Sequence, residues 1–180
     1  IAEQKKAPQE TAKIVLVHCW RGGMRSAGVA WLLDLYGFTV YTLVGGYKVF
    51  RKFAISQFEA PYSIKVVGGY TGSGKTGILN RLSRMGRTVI DLEMLANHKG
   101  SAFGHLDLPD QPSQEMFENK LAMSLYQIRQ LNDDGTTGNK PVWVEDESMR
   151  IGAIMVPNAF YTQMRQSTCY FLDIPFQERL

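Results

Sequence analysis

A glycine-rich segment that ends in a lysine limits this chain to few folds. Residues 69–76 read Gly-Tyr-Thr-Gly-Ser-Gly-Lys-Thr, which completes the pattern G-x-x-x-x-G-K-[ST]. The apolar run at 64–67 predicts a strand before this segment, and the apolar spacing after it predicts a helix. A strand, such a loop and a helix together form a P-loop, which holds phosphate oxygens. We therefore expect phosphate to contact Gly69, Thr71, Gly72, Ser73, Gly74, Lys75 and Thr76.

The pattern leaves the ligand of this loop open, since the same geometry accepts a nucleoside triphosphate or the diphosphate of another molecule. Thr76 is expected to coordinate Mg²⁺, and an acid at the end of a neighbouring strand often positions such an ion. Asp91 and Asp146 follow predicted strands and are the candidates for this role. Glu145 and Glu147 flank Asp146 on the opposite strand face, so at most one of the two glutamates is expected in the site.

Predicted strands alternate with predicted helices along the whole chain. This order indicates an α/β fold with a mostly parallel sheet. Ala60-Pro61 is expected to join one domain at 1–60 to a P-loop domain at 61–180. A helix capped by Ser113 is expected to bury the stripe Phe117, Leu121, Leu125 and Ile128. Cys169, in the last apolar strand, is expected in the core.

The composition is that of a globular protein and argues against a disulfide-rich or a membrane-spanning one. The hydrophobic fraction of 44% and the charged fraction of 21% are ordinary for a globular domain. Residues 1–60 hold eight Lys and Arg against four Asp and Glu, which fits a polyanionic partner or simply a solvated basic face. Two cysteines without a metal-ligand cluster indicate a reducing compartment, the cytoplasm. We expect neither a membrane span nor a signal peptide.

A second loop carries a cysteine between a predicted strand and a predicted helix. Cys19 is followed by Trp-Arg-Gly-Gly-Met-Arg, so glycines and arginines surround the sulfur in sequence. Backbone amides, the helix N-terminus and a guanidinium group would favour the thiolate, which is the nucleophilic form. The candidate catalytic residues are Cys19, Arg21, Gly22, Gly23 and Arg25.

Two chemistries use a loop of this kind. The spacing Cys19-x5-Arg25 matches the signature of cysteine-dependent phosphatases, in which the arginine grips phosphate. The loop is also similar to the active-site loop of rhodanese domains, although that loop is usually one residue shorter. The strand, double glycine and aromatic helix at 40–50 favour the rhodanese-like alternative.

Taken together, the motifs resemble those of the tRNA 2-selenouridine synthase family over roughly residues 14–180. The resemblance rests on the segments 19–26, 45–48, 68–76, 91–93, 98–104, 111–114, 117–119, 144–148 and 150–152.

The resemblance implies a rhodanese-like domain followed by a P-loop domain, and replacement of sulfur by selenium in wobble 2-thiouridine of tRNA. Selenophosphate would donate the selenium, and geranyl diphosphate would supply a geranylated intermediate. Cys19 would carry selenium as a perselenide, while Lys75 and Thr76 would hold the diphosphate. Compared with the family, the first half of the rhodanese domain and a part after Leu180 are expected to be missing, so residues 1–60 would be its C-terminal half and the activity is expected of a longer parent chain.

Three further residues are candidate tRNA contacts. His98 and Lys99 follow a strand near the P-loop, with solvent exposure as the simpler interpretation, and Arg150 has an ion pair as its alternative. Three other functions remain open on the residues alone. They are a P-loop kinase or ATPase with a degenerate cysteine domain, a cysteine-dependent phosphatase, and a tRNA-binding module without catalysis.

Overall fold

The structure is a computed structural model that describes residues 13–100, 104–105, 108–133 and 140–179. The chain divides into two compact units, Ile1–Phe53 and Ala54–Leu180. Residues 101–103, which belong to one of the resemblance motifs, lie outside the described residues.

The first unit is built around two parallel strands, paired so that Ile14 lies opposite Thr39. A helix connects the two strands, and a second helix begins directly after the second strand. The first helix begins at Met24, and its N-cap is Gly23. The elements are β1 (Ile14–Val17), α1 (Met24–Leu35), β2 (Thr39–Thr42) and the beginning of α2 (Gly46–Glu59), whose residues from Ala54 onward belong to the second unit.

The strands of the second unit are β3 (Ile64–Gly69), β4 (Thr88–Ile90), β5 (Val142–Glu145), β6 (Arg150–Ile151), β7 (Ile154–Met155) and β8 (Thr168–Leu172). Four of them form a parallel sheet in the order β4-β5-β3-β8, and β6 and β7 form a separate antiparallel pair. The helices are α3 (Lys75–Arg84), α4 (Leu92–Ala96), α5 (Gln114–Asp133), α6 (Asn158–Gln166) and a short 3₁₀ helix at Phe176–Glu178. The predicted α/β fold with a parallel sheet is therefore confirmed.

Helix α5 supplies much of the core of the second unit. Ser113 accepts a hydrogen bond from the Met116 amide at 3.2 Å, as predicted for an N-cap. The predicted stripe is buried, and it joins apolar side chains of β3 and β5 in one cluster. These buried residues are Phe117, Leu121, Leu125, Ile128, Ile64, Val66, Val142 and Val144. The core thus fixes β3 and β5, whose C-terminal ends carry the P-loop and the acidic segment.

The burial predicted for the last strand is wrong. Cys169 is exposed, and its neighbours Tyr170 and Phe171 are 45% and 52% exposed. Strand β8 is the edge strand of the sheet formed by the described residues. An apolar sequence in an edge strand does not by itself supply a layer that covers it.

No helix in the described part of the chain is long and apolar enough to cross a membrane.

Candidate functional site: the P-loop and the cysteine loop

The P-loop joins the C-terminal end of β3 to the N-terminus of α3. Gly72 and Gly74 have φ angles of 76° and 81°, a left-handed conformation that glycine adopts without strain. The Lys75 ammonium group donates a hydrogen bond to the Gly69 carbonyl oxygen at 3.0 Å, which ties the start of the helix back to the end of the strand. The backbone therefore has the tight turn that the sequence pattern predicts.

This loop forms one wall of a cavity of about 530 Å³. Six of the predicted phosphate-binding residues, Thr71, Gly72, Ser73, Gly74, Lys75 and Thr76, line it. The other lining residues come from α4, the loop after α4 and the end of β5, and they are Glu93, Lys99, Gly100, Glu145 and Glu147. The cavity therefore has the P-loop on one side and a group of carboxylates on the other.

Three of these carboxylates lie together. Oxygens of Glu93, Glu145 and Glu147 are all within 4.8 Å of one another. Glu145 is 1% exposed and Glu147 is 8% exposed. Burial, reinforced by the neighbouring acids, raises the pKa of Glu145 to about 8 and that of Glu147 to about 7. Burial also raises the pKa of Glu93.

The expectation that at most one of Glu145 and Glu147 joins the site is wrong, because both line the cavity. Strand β5 ends at Glu145, so the alternation of strand side chains does not govern Glu147. Sequence reasoning also missed Glu93. The available signal was its place in the first turn of the helix that follows β4.

The two aspartates predicted to position Mg²⁺ have other partners. Asp91 caps α4 by accepting a hydrogen bond from the Met94 amide at 2.8 Å. Asp146 forms an ion pair with Arg165. Both lie close enough to the cavity to add to its negative charge, since Asp91 raises the pKa of Glu145 and Asp146 raises that of Glu147. Their direct role in binding Mg²⁺ stays a prediction.

The three candidate tRNA contacts fall in different environments. His98 is only 7% exposed, so the interpretation as a solvent-exposed side chain is wrong for it, and its buried ring offers little surface to a tRNA. Its ring lies so close to Gly152 that a methyl group there would be 2.8 Å from Cδ2. Lys99 lines the P-loop cavity, and exposed Arg150 donates a hydrogen bond to the Gly152 carbonyl oxygen at 2.9 Å. Contact of these residues with tRNA stays a prediction.

In the first unit, Cys19 follows β1 and lies 3.3 Å, Sγ to Oγ, from Ser26. The Ser26 hydroxyl and the backbone amides of Gly23, Ser26 and Arg21 lower the pKa of Cys19 to about 6, although partial burial opposes them. Ser26 Oγ is also 3.0 Å from the Gly23 carbonyl oxygen. One hydroxyl proton serves one acceptor at a time, so Ser26 can donate to Gly23 beside a thiol and to the sulfur beside a thiolate.

A second backbone segment fixes the shape of the cysteine loop. Gly22 and Gly46 both have φ angles of 65°. A Cβ atom on Gly46 would clash with the Cys19 carbonyl oxygen and the Gly22 nitrogen, so the two segments approach each other too closely for a side chain. The Tyr47 amide donates to the Cys19 carbonyl oxygen at 3.0 Å. The double glycine therefore belongs to the construction of the cysteine loop.

The two arginines of the loop, Arg21 and Arg25, are exposed. The Arg21 amide contributes to the lowered pKa of Cys19, whereas the role of either guanidinium group in gripping an anion stays a prediction. Trp20 is 51% exposed, and its ring centroid lies 5.6 Å from that of Tyr47.

Comparison with known proteins gives one consistent result. A sequence profile of the tRNA 2-selenouridine synthase AAA domain matches residues 62–180. A tRNA 2-selenouridine synthase of Nitrosomonas europaea is 40% identical over 169 residues, which cover 92% of this chain and 42% of that protein. The Bdellovibrio bacteriovorus protein of that name is 42% identical, with 91% and 42% covered. The one from Shewanella denitrificans is 38% identical, with 100% and 47% covered.

This chain spans less than half of the length of these relatives. The match to the Shewanella denitrificans protein extends over the whole chain and so includes both the cysteine loop and the P-loop. Because the domain profile matches residues 62–180 and relatives about 40% identical cover nine tenths or more of the sequence, the chain belongs to the tRNA 2-selenouridine synthase family.

Proposed function

We propose that the protein to which this chain belongs replaces sulfur by selenium in 2-thiouridine at the wobble position of tRNA. The observation that carries this proposal is the Cys19 loop, where a hydroxyl and three backbone amides face one sulfur and lower its pKa to about 6. At pH 7 about nine in ten such groups are thiolate, the form that attacks an electrophile. A tRNA substrate and two free cysteines fit the reducing cytoplasm.

We assign the first unit to the C-terminal half of a rhodanese-like domain. Its parallel strands, its cysteine after β1 and its double glycine against the cysteine loop support this assignment. Such a loop suits selenium because a perselenide, like a thiolate, is an anion at the end of a sulfur side chain. The same amides that stabilise the Cys19 thiolate would stabilise the larger anion.

In the first selenium step, the Cys19 thiolate attacks a cellular disulfide, forms a mixed disulfide and releases one thiolate. The electron-rich selenium of selenophosphate then attacks the Cys19 sulfur, so that the sulfur–selenium bond forms, the disulfide bond breaks and the second thiolate leaves. Water attacks phosphorus, the selenium–phosphorus bond breaks with its electron pair on selenium, and orthophosphate leaves. The perselenide then attacks C2 of the S-alkylated base and expels the alkylthiolate. A cellular thiol next attacks the Cys19 sulfur, so that selenium stays on the base with the electron pair. A second thiol regenerates Cys19.

We place alkylation of the base at the P-loop. The sulfur of 2-thiouridine attacks C1 of geranyl diphosphate, the carbon–oxygen bond breaks, and diphosphate leaves with the electron pair. Alkylation matters because a sulfide is expelled from C2 more readily than the sulfur of the free thione. Lys75 and the loop at 71–76 would hold the departing diphosphate and stabilise its growing charge.

A second candidate for this cavity is a nucleoside triphosphate with Mg²⁺. The three carboxylates beside Thr76 favour it, because ATP and its metal need acids as well as a phosphate-binding turn. The two alternatives differ in one respect: turnover of ATP would need no prenyl donor, whereas alkylation of the base would need geranyl diphosphate.

The test uses the purified full-length protein with tRNA containing 2-thiouridine, selenophosphate and geranyl diphosphate, followed by mass spectrometry of the nucleosides. The wild type should yield 2-selenouridine. Cys19→Ser should accumulate the S-geranyl nucleoside, whereas Lys75→Ala should leave 2-thiouridine unchanged. Lys52→Ala, at an exposed lysine of α2, is the control. Selenouridine formation by Cys19→Ser would contradict the proposal, and a Lys75→Ala variant that geranylates normally would contradict the role of the P-loop.

A further inference from the structure

A second, smaller cavity lies beside the P-loop cavity. Its volume is about 240 Å³, and it shares Thr76, Glu93 and Lys99 with the P-loop cavity. The other lining residues belong to α4 with its two caps and to the segment that follows, and they are Asp91, Met94, Asn97, His98 and Leu108. A ligand in the smaller cavity would therefore lie next to a group held by the P-loop.

The end of α4 fixes the part of the wall that carries Asn97 and His98. Asn97 has a φ angle of 50°, a left-handed conformation that asparagine adopts more readily than most residues, and the His98 amide donates to the Glu93 carbonyl oxygen at 3.0 Å. The side-chain amide nitrogen of Asn97 donates to the Asp110 carbonyl oxygen at 3.0 Å, which leaves Oδ1 as an acceptor. The backbone beneath both polar side chains is thus held in place.

The ring of His98 is confined from two sides. A Cβ atom on Gly152 would lie 2.8 Å from Cδ2 of the ring, and one on Gly104 would lie 2.8 Å from Cε1. His98 is only 7% exposed, and its Nδ1 has no hydrogen-bond partner among the described residues. A buried ring nitrogen without a partner is uncommon. Because His98 lines the smaller cavity, a ligand in that cavity can supply the missing partner.

The lining suits a small polar ring better than a hydrocarbon chain. Met94 and Leu108 offer apolar surface, whereas Asn97, His98 and Lys99 offer hydrogen-bonding groups. Proteins that act on a base of a nucleic acid take it out of the stack, pack its ring against apolar side chains and read its edge by hydrogen bonds. The volume is smaller than the roughly 300–1,000 Å³ of pockets for drug-sized ligands, so it fits one base.

We propose that the smaller cavity receives the pyrimidine base of the RNA substrate, flipped out of its loop, with His98 hydrogen-bonded to the edge of the base. Nδ1 of a neutral imidazole either donates or accepts, so it matches a carbonyl oxygen or an N–H group of the pyrimidine. Thr76 and Lys99 line both cavities, so the base would lie beside the diphosphate held by the P-loop. The identity of the base rests on the proposed function.

The test compares the binding of two RNAs to the full-length protein by fluorescence anisotropy. One is an anticodon stem-loop with 2-thiouridine at the wobble position, and the other carries an abasic ribose there. Wild type should bind the first RNA about tenfold more tightly, because one stacked and hydrogen-bonded base contributes roughly that much. His98→Leu removes the polar ring and Leu108→Trp fills the cavity. Both should abolish the preference and leave the affinity for the abasic RNA unchanged.

Two variants separate binding of the base from a structural role of His98. His98→Asn keeps a polar atom near the position of Nδ1 and should retain most of the preference. His105→Leu makes the apolar change at an exposed histidine outside the described cavity lining and should retain the preference completely. Thermal unfolding of each variant reports whether it has folded.

A preference that persists in folded His98→Leu and Leu108→Trp would overturn the proposal, as would a wild type that binds both RNAs equally. Titration with geranyl diphosphate tests the other occupant. If Leu108→Trp weakens the binding of geranyl diphosphate but keeps the preference for the base, the cavity holds the hydrocarbon chain and the proposal is wrong.

The RNA titrations contain neither selenophosphate nor geranyl diphosphate, so they do not depend on the reaction. If the preference depends on His98 and Leu108 but the complete reaction mixture yields no 2-selenouridine, the base site stands and the proposed function falls. If 2-selenouridine forms but the preference ignores both residues, the base site falls and the proposed function stands.

Discussion

The sulfur of Cys19 lies 3.3 Å from the hydroxyl oxygen of Ser26, a buried residue in the first turns of α1. The serine reaches the sulfur because α1 begins directly after the cysteine loop, at Met24. The hydrogen bond with Ser26 lowers the pKa of Cys19 more than any of the backbone amides does. The side chain of Ser26, seven positions after Cys19 in the chain, therefore favours the charged form of the proposed nucleophile.

Alkylation of Cys19 should report this charge. In a Cys169→Ser background, the rate of reaction with iodoacetamide should rise with pH and reach half of its maximum near pH 6, because the thiolate reacts. Ser26→Ala should move the midpoint upward and slow the reaction at pH 7 several-fold. A wild-type midpoint near that of a free cysteine, about pH 8.5, would contradict the thiolate assignment.

Two glycine substitutions should have opposite effects in the first unit. Gly46→Ala places a methyl group against the backbone of the cysteine loop at a φ angle of 65°, so it should lower the melting temperature and raise the pKa of Cys19. Gly28 lies within α1 with open space around it, so Gly28→Ala should stabilise the unit by about 0.5–1 kcal/mol.

Circular dichroism melting and the alkylation midpoint measure both effects. If Gly46→Ala left both the melting temperature and the midpoint at their wild-type values, the close packing of the double glycine on the cysteine loop would be wrong.

The buried glutamates should make the stability of the P-loop unit depend on pH. A carboxyl whose pKa is higher in the folded state than the unfolded 4.5 binds more protons when folded, so stability falls as the pH rises from about 4.5 through 7 and 8. Glu147→Gln removes the loss of stability that comes from ionisation of Glu147 as the pH rises. The variant should match wild type near pH 4.5 and exceed it at pH 8 by roughly 2 kcal/mol, after allowance for solvent screening.

Chemical denaturation in EDTA at the two pH values measures this difference, because EDTA removes any divalent cation. Glu59→Gln, at an exposed site, should show no such dependence on pH. A Glu147→Gln variant less stable than wild type at pH 8 would show that the carboxylate stabilises the fold instead.

The sequence predicted the parts of the site that depend on local backbone chemistry. The P-loop was predictable because its glycines, its lysine and the flanking apolar runs all describe one strand, one turn and one helix. The stripe on α5 was predictable because period-3.6 spacing determines which side of a helix is buried, and Phe117 and Leu121 are fully buried.

The remaining parts depend on contacts between distant segments. Glu93, Glu145 and Glu147 meet only because β4 and β5 lie side by side in the sheet, which no local pattern states. The exposure of Cys169 follows from the edge position of β8, and the buried ring of His98 packs against Gly152, which is far from it in sequence. In each case the sequence of a segment indicates its own conformation but not which distant segments pack against it.

The central claim is that the thiolate of Cys19 transfers selenium to tRNA. It is tested most directly by mass spectrometry of tRNA nucleosides from cells that lack the gene and carry a plasmid copy of it. Plasmids encoding the wild-type or the Cys169→Ser protein should restore 2-selenouridine, and Cys19→Ser should not, although that protein is present at the same level. Restoration of 2-selenouridine by the Cys19→Ser protein would contradict the account.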